Sequence, residues 1–384
     1  MIGITEPLAG EYVVIHDHYS TIAMPDDKYL ISDAPSLVKT SDGALLCTVP
    51  MIIRSSSKPR QSVEPIGFFN PLHFFRSDDG GLSWDKVPCE SEFCSGTLFP
   101  HNNTLYFIGT GPGHRNAAKG VRVIRSKDNG RSWTKPVDVF KGSFYQPASG
   151  YVVRNGQFYW CCDISRNTTY VIAGDLTCDL TEPGAWRISE PLKYPGTPLS
   201  LTTSVPREFR WLEGNVIDVE GELRVCWRLY SVDGGNVKNL AVVCRLEDDG
   251  ETLDYRFLRF QPWPGAQNHF HVIHDDVSGL YWMTSNLIGT SNTLMRKVGM
   301  GGRRILVLHC SFDAQNWLPT GYVMIWPLLR QSSNYCGLLI DGDDLVLAAR
   351  TSRNGMSHHD NDLTTFHRVK DFRKLAEPLL PKEE

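Results

Sequence analysis

Arginine and histidine residues beside apolar segments could together form a site for an acidic ligand. Arg54, Arg228 and Arg350 each stand at the end of an apolar, strand-like run. A guanidinium group pairs well with a carboxylate or a sulfate, so these residues suit an acidic sugar. His269 and His271 are two residues apart and would share one face of a strand, where they could bind a metal, transfer protons or hydrogen-bond a glycan. Two histidines at this spacing are a weak ligand set, so we expect no metal.

Other polar residues flank further apolar runs. Gln146 precedes one such run, and the segment "RTSRNGMSHHDNDLTTFHR" carries a second cluster of histidines and aspartates after the last run. A polar loop of this kind could overhang the mouth of a site. The sequence therefore indicates a basic, aromatic-lined surface that several strands would have to position.

A hairpin pattern supplies those strands. An apolar strand, a polar or glycine turn and a second strand recur six times, with successive turns 53 to 65 residues apart. Such a period suits four strands per unit, and units of this kind stack radially. The pattern predicts an all-β fold, a six-bladed β-propeller formed by residues 1–384 as one domain, with seven blades as the alternative. A strand over residues 11–16 is expected to close the last blade. The turns centre on Gly43, Asn103, Gly156, Gly221, Gly279 and Gly342.

One eight-residue turn occurs twice, as Ser-x-Asp-x-Gly-x-x-Trp. The aspartate would cap backbone N–H groups, the glycine would take a positive φ and the tryptophan would pack between blades. We interpret these turns as structural rather than catalytic. The two copies are Ser77, Asp79, Gly81 and Trp84, and Ser126, Asp128, Gly130 and Trp133.

Composition excludes several classes of protein. A formal net charge of −4 gives no basic surplus for nucleic acid, and no apolar run approaches the ~18 residues of a membrane span.

Ten cysteines include no Cys-x-x-Cys pair, so we interpret them as buried thiols in a reducing compartment. No signal peptide is visible, which predicts a cytoplasmic protein unless a signal has been removed. No nucleotide, haem or flavin motif occurs, so we expect no cofactor.

The repeated turns resemble the Asp-boxes, or BNR repeats, of the sialidase superfamily, and the blade pattern extends this resemblance over nearly the whole chain. The resemblance implies a carbohydrate-active propeller in which three arginines bind a sugar carboxylate. It also implies a tyrosine nucleophile activated by a glutamate, with an aspartate as acid/base. Glu213 and Arg228, at the ends of one hairpin, match the glutamate and the second arginine, and Tyr335 matches the nucleophile. A phenol has a pKa near ~10 and needs such a neighbouring base to attack.

The sequence departs from true sialidases at the arginine triad. Asp33 stands where the first arginine is expected, and Arg350 stands where a supporting glutamate is usual. We therefore expect Asp33 and Arg350 to face each other across the ring closure. The third arginine is not located. In the loop after Arg54, Glu64 is the only acid, and Asp33 and Asp360 are the other candidates for the partner acid.

The function expected from these observations is a glycoside hydrolase acting on an acidic or sulfated glycan other than sialic acid. A lyase that cleaves a uronate-containing glycan is one alternative, and would use Tyr335, His269 and His271. A non-catalytic propeller that binds a glycan or a protein is the other. An enzyme predicts a deep central pocket where Glu213, Arg228 and Tyr335 converge.

Overall fold

The structure, a computed structural model, describes residues 18–23, 30–53, 72–89, 91–112, 120–164, 167–197, 209–231, 239–287, 302–354, 358–359 and 361–379. Its strands form six antiparallel sheets arranged as a six-bladed β-propeller. The prediction of six blades is therefore confirmed. Each sheet is built from neighbouring segments of the chain, because each hairpin pairs with the strands that follow it. The innermost strands of adjacent blades contact one another around a central channel.

The first three blades contain fourteen strands along residues 30–193. Blade 1 contains β2 (Leu30–Ser32), β3 (Ser36–Lys39), β4 (Leu45–Ile53), β5 (Leu72–Ser77) and β6 (Asp85–Val87). Blade 2 contains β7 (Ser95–His101), β8 (Thr104–Thr110), β9 (Val121–Ser126) and β10 (Val137–Phe140). Blade 3 contains β11 (Val152–Arg154), β12 (Gln157–Ile164), β13 (Thr168–Asp175), β14 (Trp186–Ile188) and β15 (Leu192–Lys193).

Blades 1 and 3 each contain one short extra strand. β2 and β3 both pair with β4, so they form the two halves of one interrupted innermost strand. β15 is likewise a short extra strand that pairs with β13. Every one of the three blades therefore has four strand positions from the channel outward.

The last three blades have the same plan. Blade 4 contains β16 (Phe209–Val219), β17 (Glu222–Ser231), β18 (Leu240–Asp248) and β19 (Leu253–Pro262). Blade 5 contains β20 (His271–Asp275), β21 (Leu280–Asn286), β22 (Ile305–Ser311) and β23 (Leu318–Ile325). Blade 6 contains β24 (Ser332–Asp341), β25 (Asp344–Ser352), β26 (Leu363–Val369) and, at its outer edge, β1 (His18–Ala23).

The ring is closed by the first described strand. β1 pairs antiparallel with β26, so the last blade combines strands from both ends of the chain. Residues 11–16, where the sequence predicted the closing strand, lie outside the described residues. The described helical segments are short 3₁₀ turns at Pro183–Ala185, Phe372–Leu375 and Glu377–Leu379. Among the described residues, no helix has the length and apolar character needed to cross a membrane.

The repeated turns tie neighbouring blades together. Asp79 accepts hydrogen bonds from the backbone N–H groups of Leu82 and Ser83, at 3.0 and 2.9 Å, and Gly81 has a φ of +99°. The Trp84 indole N–H donates to the hydroxyl of Ser20 in blade 6. In the second copy, Asp128 accepts from the N–H of Ser132, and Trp133 stacks on Phe74 of blade 1 with ring centroids 4.4 Å apart. Each turn thus caps its own backbone and packs on the preceding blade.

The core lies between the blades. Phe99 of blade 2 stacks on Phe158 of blade 3, and the fully buried Trp211 and Trp227 of blade 4 pack in one cluster with Tyr159 of blade 3. The cysteines contribute to these interfaces as free thiols. Eight of the ten are buried, while Cys89 is partly buried and Cys178 is exposed.

Candidate active site

The innermost strands are interrupted at one level of the channel. In blade 1 the break between β2 and β3 holds Asp33. In blades 4 and 6 the pairing register shifts at Glu213 and at Tyr335, which have φ values of +57° and +50°. His269 lies just before β20 of blade 5. A break or bulge redirects a side chain out of the regular alternation, so four blades can present polar groups at the same depth.

Tyr335, Glu213 and Arg228 form one hydrogen-bonded cluster. The phenol O–H of Tyr335 donates to Glu213 Oε1 at 2.8 Å, and Arg228 Nη1 donates to the phenol oxygen at 3.1 Å. Arg228 also forms an ion pair with Glu213 Oε2. All three side chains are buried. The structure therefore brings together the three residues that the sequence singled out in blades 4 and 6.

The ionisation states of Glu213 and Tyr335 depend on burial and on the charged groups around them. Burial favours the neutral carboxyl of Glu213, but Arg228, the adjacent His269 and hydrogen bonds outweigh it and lower its pKa to about 2. The pKa of Tyr335 is raised by burial and by the Glu213 carboxylate, although the nearby arginines oppose this shift. At neutral pH the pair is consequently an ionised carboxylate that accepts a hydrogen bond from a neutral phenol.

Arg303 is a third arginine beside Tyr335, and its position was not predicted from the sequence. It is 1% exposed, and its guanidinium carbon lies 5.1 Å from the centre of the Tyr335 ring. Its contacts are two neutral amide oxygens, of Asn268 and Asn334, both at 3.4 Å. Nη2 has no hydrogen-bond partner, and no carboxylate of the described residues pairs with it. Burial, with repulsion from Arg228 and Arg350, lowers the pKa of Arg303 only to about 10, so it stays a cation.

Asp33 and Arg350 face each other, as expected from the sequence. Arg350 Nη1 lies 3.0 Å from Asp33 Oδ1, and the side chains are 2% and 1% exposed. Arg350 also donates to the Asn361 side chain and to the backbone carbonyl of His359. Its guanidinium carbon lies 5.2 Å from the centre of the Tyr335 ring. The pair thus links blade 1 to blade 6 beside the Tyr335 cluster.

The three remaining candidate residues, which the sequence predicted to bind substrate, lie at different distances from Tyr335. His269 stacks on Tyr335, with ring centroids 4.8 Å apart and planes 17° apart. Gln146 is buried and donates to the carbonyl of Gly214 at 2.7 Å, so it supports the Glu213 bulge. His271 contacts the carbonyl of Cys336 at 3.0 Å, further down the channel.

Some predicted residues cannot be placed. Arg54, Glu64 and Asp360 lie outside the described residues. Within the described part of the chain, no three His, Cys, Asp or Glu side chains form a group that could hold a metal ion.

A cavity of about 940 Å³ opens at the other end of the channel. The hairpin turns of the blades surround it, and its wall includes Leu98, Val152, Val216, Val272 and Leu338 from five innermost strands. The expected convergence of Glu213, Arg228 and Tyr335 is present, but these three residues do not line this cavity. The polar cluster and this cavity are therefore separate features of the channel.

Comparisons with known proteins show the fold. No family model matches the chain, and no curated protein matches it in sequence. Among solved structures, Trypanosoma rangeli sialidase with sialic acid has a TM-score of 0.61 at 16% identity, covering 95% of this chain and 61% of that chain. Penicillium chrysogenum alpha-L-arabinanase has a TM-score of 0.54 at 14% identity, covering 94% and 98%. A Dyadobacter fermentans protein of unknown function has a TM-score of 0.60 at 12% identity, covering 92% and 98%.

The chain thus has a sialidase-like propeller fold, and it spans about three fifths of the length of the T. rangeli sialidase it matches. At these identities the likeness extends to the fold alone.

Proposed function

We propose that the protein is a glycoside hydrolase that acts on a glycan bearing one carboxylate or sulfate group. The observation that carries this proposal is the hydrogen-bonded cluster of Tyr335, Glu213 and Arg228 beside Arg303. A tyrosine O–H held on a carboxylate is poised to lose its proton as its oxygen forms a bond. The sialidase of T. rangeli, which shares the fold, has been solved as a covalent intermediate with 2,3-difluorosialic acid.

The charge balance supports a singly charged ligand. Arg228 is paired with Glu213, and Arg350 is paired with Asp33. Arg303 is the remaining cation of the described cluster, and an anion on the ligand would supply its missing partner. Asp33 stands where the resembling sialidases place an arginine, which argues against a sialoside.

The proposed reaction has two steps. The phenol oxygen of Tyr335 bonds to the anomeric carbon, its proton passes to Glu213 Oε1, and the bond to the leaving oxygen breaks as an acid protonates that oxygen. Water then cleaves the tyrosyl–sugar bond, and Tyr335 recovers its proton. The acid is not assigned, because Glu64 and Asp360 lie outside the described residues and Asp33 is engaged by Arg350.

A lyase is less well supported. Its base would be Tyr335, His269 or His271. Burial and the Glu213 carboxylate raise the pKa of Tyr335, so its phenol is protonated at neutral pH. Burial lowers the pKa of the two imidazoles to about 3 and about 4. A C–H group is a far weaker acid than the Tyr335 phenol that Glu213 would deprotonate, so these imidazoles are poorly matched to removing a proton from carbon.

The first test measures binding. The cluster is buried, so a sugar must be shown to reach it. Calorimetry would use the methyl glycosides of glucuronic, galacturonic and N-acetylneuraminic acid, and turnover would be followed as new reducing ends on polyuronates and sulfated polysaccharides. We expect a uronide or a sulfated glycan to bind and to be hydrolysed. Unsaturated-uronate absorbance would instead make the protein a lyase, and binding without turnover would make it a recognition module.

Variants assign the roles. Tyr335→Phe should lower kcat by roughly 10³-fold or more, since the nucleophile is lost.

Arg303→Met should weaken binding by about 10- to 100-fold, the value of a hydrogen bond to a charged group. The matched control is Arg304→Met, because Arg304 donates to the carbonyl of Trp326 instead. Equal losses in the two arginine variants would refute the role given to Arg303.

A further inference from the structure

His269 is held in one tautomer at the centre of the site. Its Nε2 lies 3.0 Å from the carbonyl oxygen of Ala148. A carbonyl can only accept, so Nε2 carries the proton, and Nδ1 of the neutral ring is an acceptor. Burial lowers the pKa of His269 to about 3, against the opposing effect of Glu213, so the ring is neutral at physiological pH.

The acceptor Nδ1 has no partner in the protein. The side chain is 3% exposed, and Nδ1 makes no hydrogen bond. Buried acceptors are nearly always satisfied, so an unpaired one beside a candidate nucleophile needs an explanation. The ring lies flat against Tyr335, at 4.8 Å between centroids, which places this acceptor next to the proposed reaction centre.

We propose that His269 is a specificity-determining residue whose Nδ1 accepts a hydrogen bond from a hydroxyl or amide N–H of the bound sugar. This inference rests on the proposed function. The sugar would present its anion to Arg303 and a donor group to His269, so the site selects a sugar that carries both. Because a buried acceptor left empty is costly, a sugar without that donor is disfavoured.

His309 provides a matched control. It is 1% exposed and its Nδ1 also lacks a partner. Its Nε2 lies 3.1 Å from Ser285 Oγ, and that hydroxyl donates to the carbonyl of Pro264, so His309 has the same tautomer. It lies on β22, the third strand of blade 5, rather than against Tyr335.

The test compares wild type with His269→Phe, which keeps an aromatic ring, and with His309→Phe. The probes are the best-binding methyl glycoside of the three named above and its mono-deoxy forms. For wild type and His309→Phe, removing one particular hydroxyl should weaken binding about tenfold, and for His269→Phe that penalty should vanish. In protein labelled with ¹⁵N-histidine, the Nδ1 resonance of His269 should move on binding and that of His309 should not.

Two failures can be told apart. If His269→Phe keeps every wild-type preference among the deoxy sugars while Arg303→Met loses binding, this inference is wrong and the proposed function stands. If none of the three glycosides binds wild type and no polyuronate or sulfated polysaccharide is bound or hydrolysed, both are wrong. Should His269→Phe fail to fold, the ¹⁵N measurement on wild type decides alone, and an unmoved His269 resonance in saturated protein refutes the inference.

Discussion

The ion pair between Glu213 and Arg228 makes the stability of the protein depend on pH. The pKa of Glu213 falls from 4.5 to about 2 on folding, because Arg228 and the other partners outweigh burial. A carboxyl with a lowered pKa stabilises the folded state above its unfolded pKa, and this contribution is lost as pH falls from about 4.5 towards 2. We expect Glu213→Gln to cost about 3–5 kcal/mol at pH 7, where it leaves a buried arginine unpaired, and less at pH 3.

Urea unfolding at the two pH values measures this difference. The control is Glu222→Gln, since Glu222 is paired with Arg224 at the surface with 32% of its side chain exposed. That variant should change the free energy of unfolding by less than ~1 kcal/mol at either pH. An equal cost of Glu213→Gln at pH 7 and pH 3 would mean that folding does not lower the pKa of Glu213.

The pair of Asp33 and Arg350 should show strong coupling. Either Asp33→Asn or Arg350→Met leaves a buried charge alone, at a cost of about 3–5 kcal/mol, so the double variant should cost clearly less than the sum. A double-mutant cycle by urea unfolding measures the coupling. The exposed pair of Arg245 and Glu247, with side chains 51% and 53% exposed, should couple by less than ~1 kcal/mol. Additive costs at Asp33 and Arg350 would contradict the prediction.

The residues of the site were predictable to different degrees. Glu213, Arg228 and Tyr335 stand at the ends of hairpins in the sequence pattern, where that pattern and the family resemblance together locate them. Arg303 was missed although "GGRRILVL" places two arginines before an apolar run. The sequence pattern does not indicate which of these two consecutive arginines faces the channel, because their orientation depends on how blade 5 packs against blade 6.

Among the elements, the innermost strands position the residues of the candidate site through breaks and bulges in their regular pairing. Glu213 and Tyr335 adopt a positive φ that costs a non-glycine residue about 1–3 kcal/mol. Glycine follows closely in each case, at Gly214 and Gly337, where an added Cβ would lie 2.7 Å from Trp227 and 2.5 Å from the carbonyl of Pro35. A period-2 pattern cannot reveal a bulge, so the register of these strands had to come from the structure.

The turn at Gly81 offers a test of how closely blades 1 and 6 pack. A Cβ at Gly81 would lie 2.2 Å from the ring of Phe366, whereas one at Gly43 would have no atom within 4 Å. Both glycines have positive φ, at +99° and +89°, so alanine strains the backbone at both. We expect Gly81→Ala to lower the free energy of unfolding by about 1–3 kcal/mol more than Gly43→Ala. Equal losses would show that the backbone, rather than the blade contact, decides the cost.

At the scale of the whole molecule, the number of blades followed from the period of the hairpins alone. Six turns 53 to 65 residues apart gave six sheets, because each unit buries its faces only against its neighbours. The identity of the closing strand did not follow as directly. β1 contains the polar residues His18, Tyr19 and Ser20, so it lacks the long apolar run that drew attention to residues 11–16.

Removal of β1 should open the ring. Deleting residues 1–23 would expose the edge of β26, so we expect a lower urea midpoint and association of copies through the free edge. Deleting only residues 1–17 keeps β1 and serves as the control. Urea unfolding and analytical ultracentrifugation measure both effects. A deletion of residues 1–23 that stays monomeric with an unchanged midpoint would show that β1 does not hold the ring closed.

The pairing of Asp33 with Arg350 joins positions 317 residues apart. During synthesis on a ribosome, the early blades can emerge and pair their own strands long before this contact is possible. Arg350 and the partners of β1 arrive only with β25 and β26, after the other five blades have been made. A product that ends before blade 6 would therefore contain Glu213 without Tyr335, its partner 122 residues further along the chain, and the proposed chemistry could not begin in it.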